Sequence, residues 1–175
     1  MNRLCAIACA ALTGASLWAG GGYGLGLQTG FDVKAGQAIV PRLEYLRFTD
    51  SSSVADNYGN SIDLSATINC FSLGADYDYY FGGETDHGFY VLGGLGVAHA
   101  SIAVSGSTFY GSDRTTSQQT VAYPEAGAGY QITPHLGVEI LYKALDFKDV
   151  NIAIAGQVVG YSFTSSLQAS VVVRF

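Results

Sequence analysis

The chain has 175 residues, a formal net charge of −6, and 49% apolar, 13% aromatic and 13% charged side chains. That length fits one domain, and an acidic balance without any basic run excludes nucleic acid, which selects for clustered Lys and Arg. Past the first twenty residues no apolar run approaches the roughly 18–20 residues of a spanning helix, so entry into a bilayer requires a closed sheet.

Met1 to Arg3 gives a short positive start, Leu4 to Leu12 is unbroken apolar sequence, and the small residues Thr13, Gly14, Ala15 and Ser16 follow. This is the layout of a secretory signal, expected over residues 1–20 with cleavage between Ala15 and Gly21, ahead of a barrel domain over 21–175. Cys5 and Cys9 lie in that leader, leaving Cys70 alone in the mature chain. An intramolecular disulfide and a Cys-based zinc site are thereby excluded, Cys70 is expected as a small packing residue, and no cofactor or metal is expected.

Period-two alternation then marks strands. Tyr23, Leu25, Leu27 and Phe31 oppose Gly24, Gly26, Gln28 and Asp32, and Leu43 and Tyr45 oppose Arg42 and Glu44. From Ala66 to Phe81 the residues Phe71, Leu73, Ala75, Tyr77, Tyr79 and Phe81 share a face opposite Ser72, Gly74, Asp76 and Asp78. Tyr77, Tyr79 and Phe81 close that face as an interfacial aromatic girdle. Phe89 to Val104 is apolar on both faces, so its inner side stays open. Ala126, Ala128, Tyr130 and Ile132 oppose Glu125, Gly127, Gly129 and Gln131; Leu136, Val138, Ile140 and Tyr142 oppose Gly137, Glu139 and Lys143. The C-terminal segment reads as one strand of about 15 residues, with Tyr161, Phe163, Leu167, Ala169, Val171, Val173 and Phe175 on one face. Ser162, Thr164, Ser166, Gln168, Ser170 and Arg174 lie on the other, with Ser165 and Val172 as exceptions.

Short turns are expected at Asp32 to Gly36, Gly82 to Gly88 and Thr133 to His135, and longer loops at Asp50 to Asp63, Ser105 to Gln119 and Asp149 to Val159. Short turns on one side and long loops on the other are the asymmetry of an outer-membrane barrel, the short turns being periplasmic. Seven strands begin near Gly22, Ala38, Ala66, Gly88, Thr120, Leu136 and Gly160. Such barrels have an even number, so the template is an all-β, antiparallel up-and-down, eight-stranded transmembrane barrel. The eighth strand comes from the leader region or from a divided segment, or it is missing.

GADYDYYFGG at Gly74 to Gly83, GFYVLGGLGVA at Gly88 to Ala98, EAGAGYQITPHLGVEILYK at Glu125 to Lys143 and the terminal SVVVRF resemble the small outer-membrane barrel family of OmpX-like, opacity-like and OmpA transmembrane-domain proteins. The resemblance spans Gly22 to Phe175 and implies the fold and an outer-membrane location. It also implies that the terminal strand, through Tyr161, Phe163, Leu167, Val171, Val173 and Phe175, carries the signal read by the barrel-assembly machinery. Activity does not follow from the fold.

With the polar faces inward, Arg42, Lys143 and Arg174 meet Glu44, Asp76, Asp78, Glu125, Glu139 in one lumen, where desolvated charges must pair. Eight strands leave an interior just filled by side chains, so a salt-bridged plug is expected, with a narrow pore as the alternative. His99 and Ser101 share a strand face and resemble in outline the barrel enzymes that deacylate lipid A, but no carboxylate lies near them in sequence; they are expected as lumen-facing polar residues. Gly94 and Gly96 lack the helix and GK[ST] of a phosphate loop and read as close-packing strand glycines. Phe109, Tyr110, Asp113 and Arg114 sit in a Ser/Thr-rich loop, expected as a variable loop tip, with contact to a partner or lipopolysaccharide as the alternative. The expected protein is a monomeric, non-enzymatic outer-membrane barrel with a structural or surface-interaction role, in contact with lipid and lipopolysaccharide. A small-solute porin, a lipid A hydrolase and a soluble lipocalin-like barrel rank after it.

Overall fold

A computed structural model describes residues 5–9, 21–55, 61–108, 111–154 and 157–174. The elements are β1 (Cys5–Cys9), β2 (Gly21–Lys34), β3 (Gln37–Ala55), β4 (Ser61–Tyr80), β5 (Gly88–Thr108), β6 (Gly111–Thr133), β7 (Leu136–Lys143), β8 (Phe147–Ile154), β9 (Gln157–Phe163) and β10 (Ser166–Arg174). Eight of them close an antiparallel barrel in the order β1-β10-β7-β6-β5-β4-β3-β2, while β8 and β9 pair only with each other. Closure leaves no lipid-facing edge, which is the condition for a sheet to survive in hydrocarbon.

Strands β2 to β7 and β10 each send one face of apolar side chains outward. Leu25, Leu27, Leu73, Leu95, Val97, Tyr130, Ile132, Ile140 and Tyr142 are all about half exposed or more. In a soluble protein that surface would be a large defect; here it is the lipid belt. The belt covers only part of the long strands. A spanning strand needs about 9–11 residues; β7 has 8 and β10 has 9, whereas β3 to β6 have 19 to 23.

The surplus length projects beyond the belt, and there the two faces exchange character. In β4 the outward residues run Phe71, Leu73, Tyr77, Tyr79 within the belt but Asp63, Ser65, Thr67, Asn69 above it. Its inward residues run Ser72, Asp76, Asp78 within the belt but Ala66, Ile68, Cys70 above it, all buried. No bulge marks the change, because the β4 ladders to β3 and β5 stay in register throughout. Above the membrane the outside is water, so the sheet becomes an ordinary amphipathic one and needs a second apolar layer inside. The β8–β9 hairpin supplies it: Leu145, Phe147 and Val150 bury themselves against Ile68, Ala98, Ala100, Ile102 and Val104.

One of the alternatives for the eighth strand holds, and two sequence expectations change. The eighth strand is β1, within the segment expected as a leader; it pairs β2 from Cys5↔Gly30 to Cys9↔Gly26 and β10 at Ile7↔Arg174 and Ala8↔Val173. The C-terminal strand is not continuous: it breaks at Thr164 and Ser165, so Tyr161 and Phe163 belong to β9 and the hairpin, and only β10 lies in the barrel. Phe163 packs against the inner apolar core and against the rings of Phe48 and Phe147, and does not face lipid. The anomaly at Val172 also resolves, since Val172 points inward and is buried. Finally, most of the stretches expected as loops at Asp50 to Asp63 and Ser105 to Gln119 are strand. Serine and threonine at alternate positions there are a water-facing wall.

The belt predicts a positional contrast. Leu73→Arg, on the lipid face, lowers stability in bilayers by on the order of 2–4 kcal/mol. Thr67→Arg, on the same face but above the belt, changes it by less than about 0.5 kcal/mol. Urea unfolding of liposome-embedded protein followed by far-UV circular dichroism and unboiled gels separates the two.

Candidate functional site: the barrel interior

The interior has three tiers. At the short-turn end Tyr80 and Tyr90 stack with ring centroids 4.7 Å apart, joined by buried Leu92 and Leu141. Tyr90 lies over Gly129, its register partner on β6: a Cβ built on that glycine would sit 2.2 Å from the ring. Only glycine lets the ring lie flat there, as at Gly96 beneath Tyr123.

The middle tier is charged. Arg42 donates from Nε to Asp76 Oδ2 at 2.8 Å and from Nη1 to Glu139 Oε1 at 2.7 Å, and its Nη1 lies 3.7 Å from Glu44 Oε1. Tyr90 donates its hydroxyl to the other oxygen of Glu139 at 3.0 Å. Lys143 bonds Glu44, approaches Glu125 at 3.3 Å and lies 5.1 Å from the centre of the Tyr123 ring. Ser72 completes the shell of Glu44 at 3.3 Å. Arg42, Glu44, Asp76, Asp78, Glu125, Glu139 and Lys143 are all buried. They come from four strands, β3, β4, β6 and β7, each at a position where the alternation turns a polar residue inward. The eighth residue of the expected network, Arg174, has its backbone in β10 and its side chain outside the described residues.

The upper tier is the apolar chamber closed by the hairpin. Gln119 of β6 ties the hairpin down with both ends of its amide: Nε2 donates to Lys148 O at 2.8 Å and Lys148 N donates to Oε1 at 2.6 Å. Cys70 is buried in this chamber.

Tyr77, Tyr79 and Phe81 point outward at the short-turn end, where Phe81 meets Tyr79 edge-on at 5.4 Å and stacks on Phe89 at 5.5 Å. Leu167 and Val171 of β10 also face outward. Val173 is in β10 with its side chain outside the described residues, and Phe175 lies outside them entirely. Phe109 and Tyr110 are outside them too; Asp113 and Arg114 are exposed in strand β6.

His99 and Ser101 do not face the lumen. They lie on the outer wall just above the belt, and His99 Nδ1 meets Thr120 Oγ1 at 2.9 Å, with no carboxylate in the bond. An imidazole held by a threonine has no anion to orient it as a base, so the hydrolase geometry is absent at this pair.

Sequence reading missed Tyr90, Tyr123 and the hairpin core. The first two carry a signal in retrospect, because each stands across a ladder from a glycine that leaves room for a ring. A cluster of three was also missed: in the turn after β4, His87 Nδ1 lies 2.8 Å from Asp86 Oδ1 and 3.2 Å from Glu84 Oε2, all three exposed.

Comparison with known proteins now bears on this geometry. The chain matches the family described as outer membrane protein beta-barrel domain over residues 4–175. It belongs to that family. The protein is therefore an integral β-barrel of the bacterial outer membrane. Eight solved chains match it in structure. One is Ail, the attachment invasion locus protein of Yersinia pestis, in complex with the heparin analogue sucrose octasulfate. It is 12% identical, with 98% of this chain and 95% of that one covered, and a TM-score of 0.50. A second structure of Ail is also 12% identical, with 98% and 94% covered and a TM-score of 0.48. These are likenesses of fold. No curated protein sequence matches the chain.

Two outcomes follow from the geometry of this family member. Arg42→Ala strands Asp76 and Glu139 in the interior and costs about 3–5 kcal/mol, whereas Arg47→Ala on the outer wall changes stability by less than about 0.5 kcal/mol; urea titrations in detergent measure both. In the turn between β4 and β5 the hydrogen bond and charge of Asp86, with the charge of Glu84, hold the His87 imidazolium above the ordinary histidine value of 6.5. A raised value adds stability to the turn at acid pH, lost as pH rises through it. NMR titration of His87 in micelles is expected above 6.5, moving down in Asp86→Asn; an unmoved midpoint refutes the pairing.

Proposed function

We propose that this barrel is a non-conducting, non-enzymatic surface-interaction protein that presents the extension of β3 to β6 outside the membrane. The observation that carries the reading is the extension itself: strands twice the length the bilayer needs, with an outer wall of Thr49, Ser51, Thr67, Ser105, Thr116 and Gln118, and an apolar second layer that keeps it rigid. Rigid elements place contact groups more precisely than loops. A barrel that only occupied the membrane would need neither the extension nor its lining.

The interior supports the same reading. Charged, aromatic and apolar tiers follow one another along the axis, and eight strands leave no spare width. The sulfated ligand of Ail does not transfer to this chain, whose net charge is −6; a neutral, hydroxyl-rich or amide-rich partner suits the Ser/Thr wall. Lipopolysaccharide is the immediate neighbour of the wall's lower rows, where Arg47 is exposed. The protein acts as a monomer, and β10 is the strand recognised by the barrel-assembly machinery. In this proposal residues 1–20 direct export and are then removed, which leaves β2 and β10 to meet at the seam that Cys5–Cys9 fills here; the intact mass of protein taken from outer membranes is expected to begin between Ala15 and Gly21, and a longer mass that retains Cys5–Cys9 would keep β1 in the seam.

Cells displaying the protein are expected to adhere to neutral glycan or protein surfaces more than vector controls and not to heparin. Adhesion should fall when Thr49, Thr67 and Thr116 are changed together to Glu, with surface expression unchanged. Adhesion equal to the control on every surface ends the proposal. Planar bilayers should stay silent; steady conductance would favour the porin instead.

A further inference from the structure

The charged tier does not balance. Among the described residues five buried carboxylates, Glu44, Asp76, Asp78, Glu125 and Glu139, accompany two buried cations, Arg42 and Lys143. Part of the surplus meets in one row. Asp76 on β4, Gly94 on β5 and Glu125 on β6 occupy a single cross-strand row, Asp76↔Gly94 and Gly94↔Glu125. The middle residue has no side chain, so nothing stands between the carboxyl groups that flank it in the row. A Cβ built on Gly94 would stand 2.1 Å from Asp76 Oδ1; alanine does not fit while that oxygen is where it is.

The oxygens in this row lack donors. Arg42 takes Asp76 Oδ2, but Asp76 Oδ1 and both oxygens of Glu125 have no hydrogen-bond partner, although Asp76 is 2% and Glu125 4% exposed. Lys143, 3.3 Å from Glu125 Oε2, is closer to Glu44, so it neutralises one carboxylate of the two it touches. Carboxylate oxygens buried without a donor are costly, more so beside a like charge. The Tyr123 hydroxyl borders the same space: it and Glu125 Oε1 lie 3.3 Å and 3.0 Å from a Cβ built on Gly74. All of these donors are oxygens, which suits a hard cation.

We propose that Asp76 and Glu125, meeting across Gly94, bind one divalent hard cation, calcium or magnesium, with the Tyr123 hydroxyl at its margin. Two carboxylates and a 2+ ion are neutral together, and the row then gains what Arg42 and Lys143 do not supply. The site lies between the apolar chamber and the Tyr80–Tyr90 floor, so the ion enters as the barrel closes and exchanges slowly afterwards. This revises the expectation of a metal-free barrel and does not depend on what the outer wall binds.

The test refolds the full chain from urea into lipopolysaccharide-free detergent, with calcium and magnesium or with EDTA, followed by gel filtration in EDTA. Metal analysis of the folded wild type is expected to find about one equivalent per chain in the first sample and none in the second, and the first is expected to melt at higher temperature. Glu125→Gln and Asp76→Asn should abolish both the retained metal and the difference in melting. Asp86→Asn, in the exposed Glu84–Asp86–His87 cluster, should leave both intact. The proposal is overturned if the wild type refolded with calcium and magnesium retains no metal, if both samples melt alike, or if Asp86→Asn alone removes the ion. Should Glu125→Gln not fold, the wild-type metal count and the Asp86→Asn control still decide.

Discussion

The whole molecule answers to one constraint: along a single strand the medium on the outer side changes from hydrocarbon to water while the ladder of backbone hydrogen bonds continues unbroken. Period-two alternation permits this only by exchanging the roles of the two faces. β4 makes the exchange between Cys70, which is inward and apolar, and Phe71, which is outward and apolar. Two adjacent apolar residues thus mark the surface of the membrane, and the strand passes through it without a bulge.

Each tier of the interior follows. Where the outside is lipid, the inside takes the polar residues that alternation leaves over, and these must neutralise one another because an eight-stranded lumen holds side chains and little else. Arg42 and Lys143 each serve more than one carboxylate for that reason. Where the outside is water, the inside turns apolar, and the chain returns through β8 and β9 to cover it. The Gln119 amide imitates a strand neighbour in doing so, lending β8 one donor and one acceptor.

Much of the membrane-embedded half was legible in the sequence. Outward Leu73, Tyr77 and Tyr79 and inward Arg42, Glu139 and Lys143 all follow from local alternation, and the structure places them on those faces. The inner side of β5 was not legible, because Tyr90 and Leu92 are apolar and inward beside the outward Phe89 and Val91. The extension was read as loop because its outer face is serine and threonine, a composition shared by water-facing strands and by loops. The terminal segment misled for a different reason: Tyr161 and Phe163 keep the parity of Leu167 and Val171, so a period-two reading runs straight through the break at Thr164 and Ser165. Pairing between distant segments, such as Arg42 with Glu139, supplies what local pattern lacks.

The connection between β7 and β10 occupies the position of an outer loop, and outer loops are where such barrels ordinarily accept insertions and sequence turnover. Here the same stretch carries Leu145, Phe147 and Val150, which are buried as deeply as the barrel's own residues. Tolerance to change therefore divides unevenly over the exposed side of the protein. Epitope tags or grafted peptides inserted into this connection would disturb folding, whereas substitutions along the serine and threonine wall leave the scaffold untouched, so diversification has its freedom on the flank of the sheet.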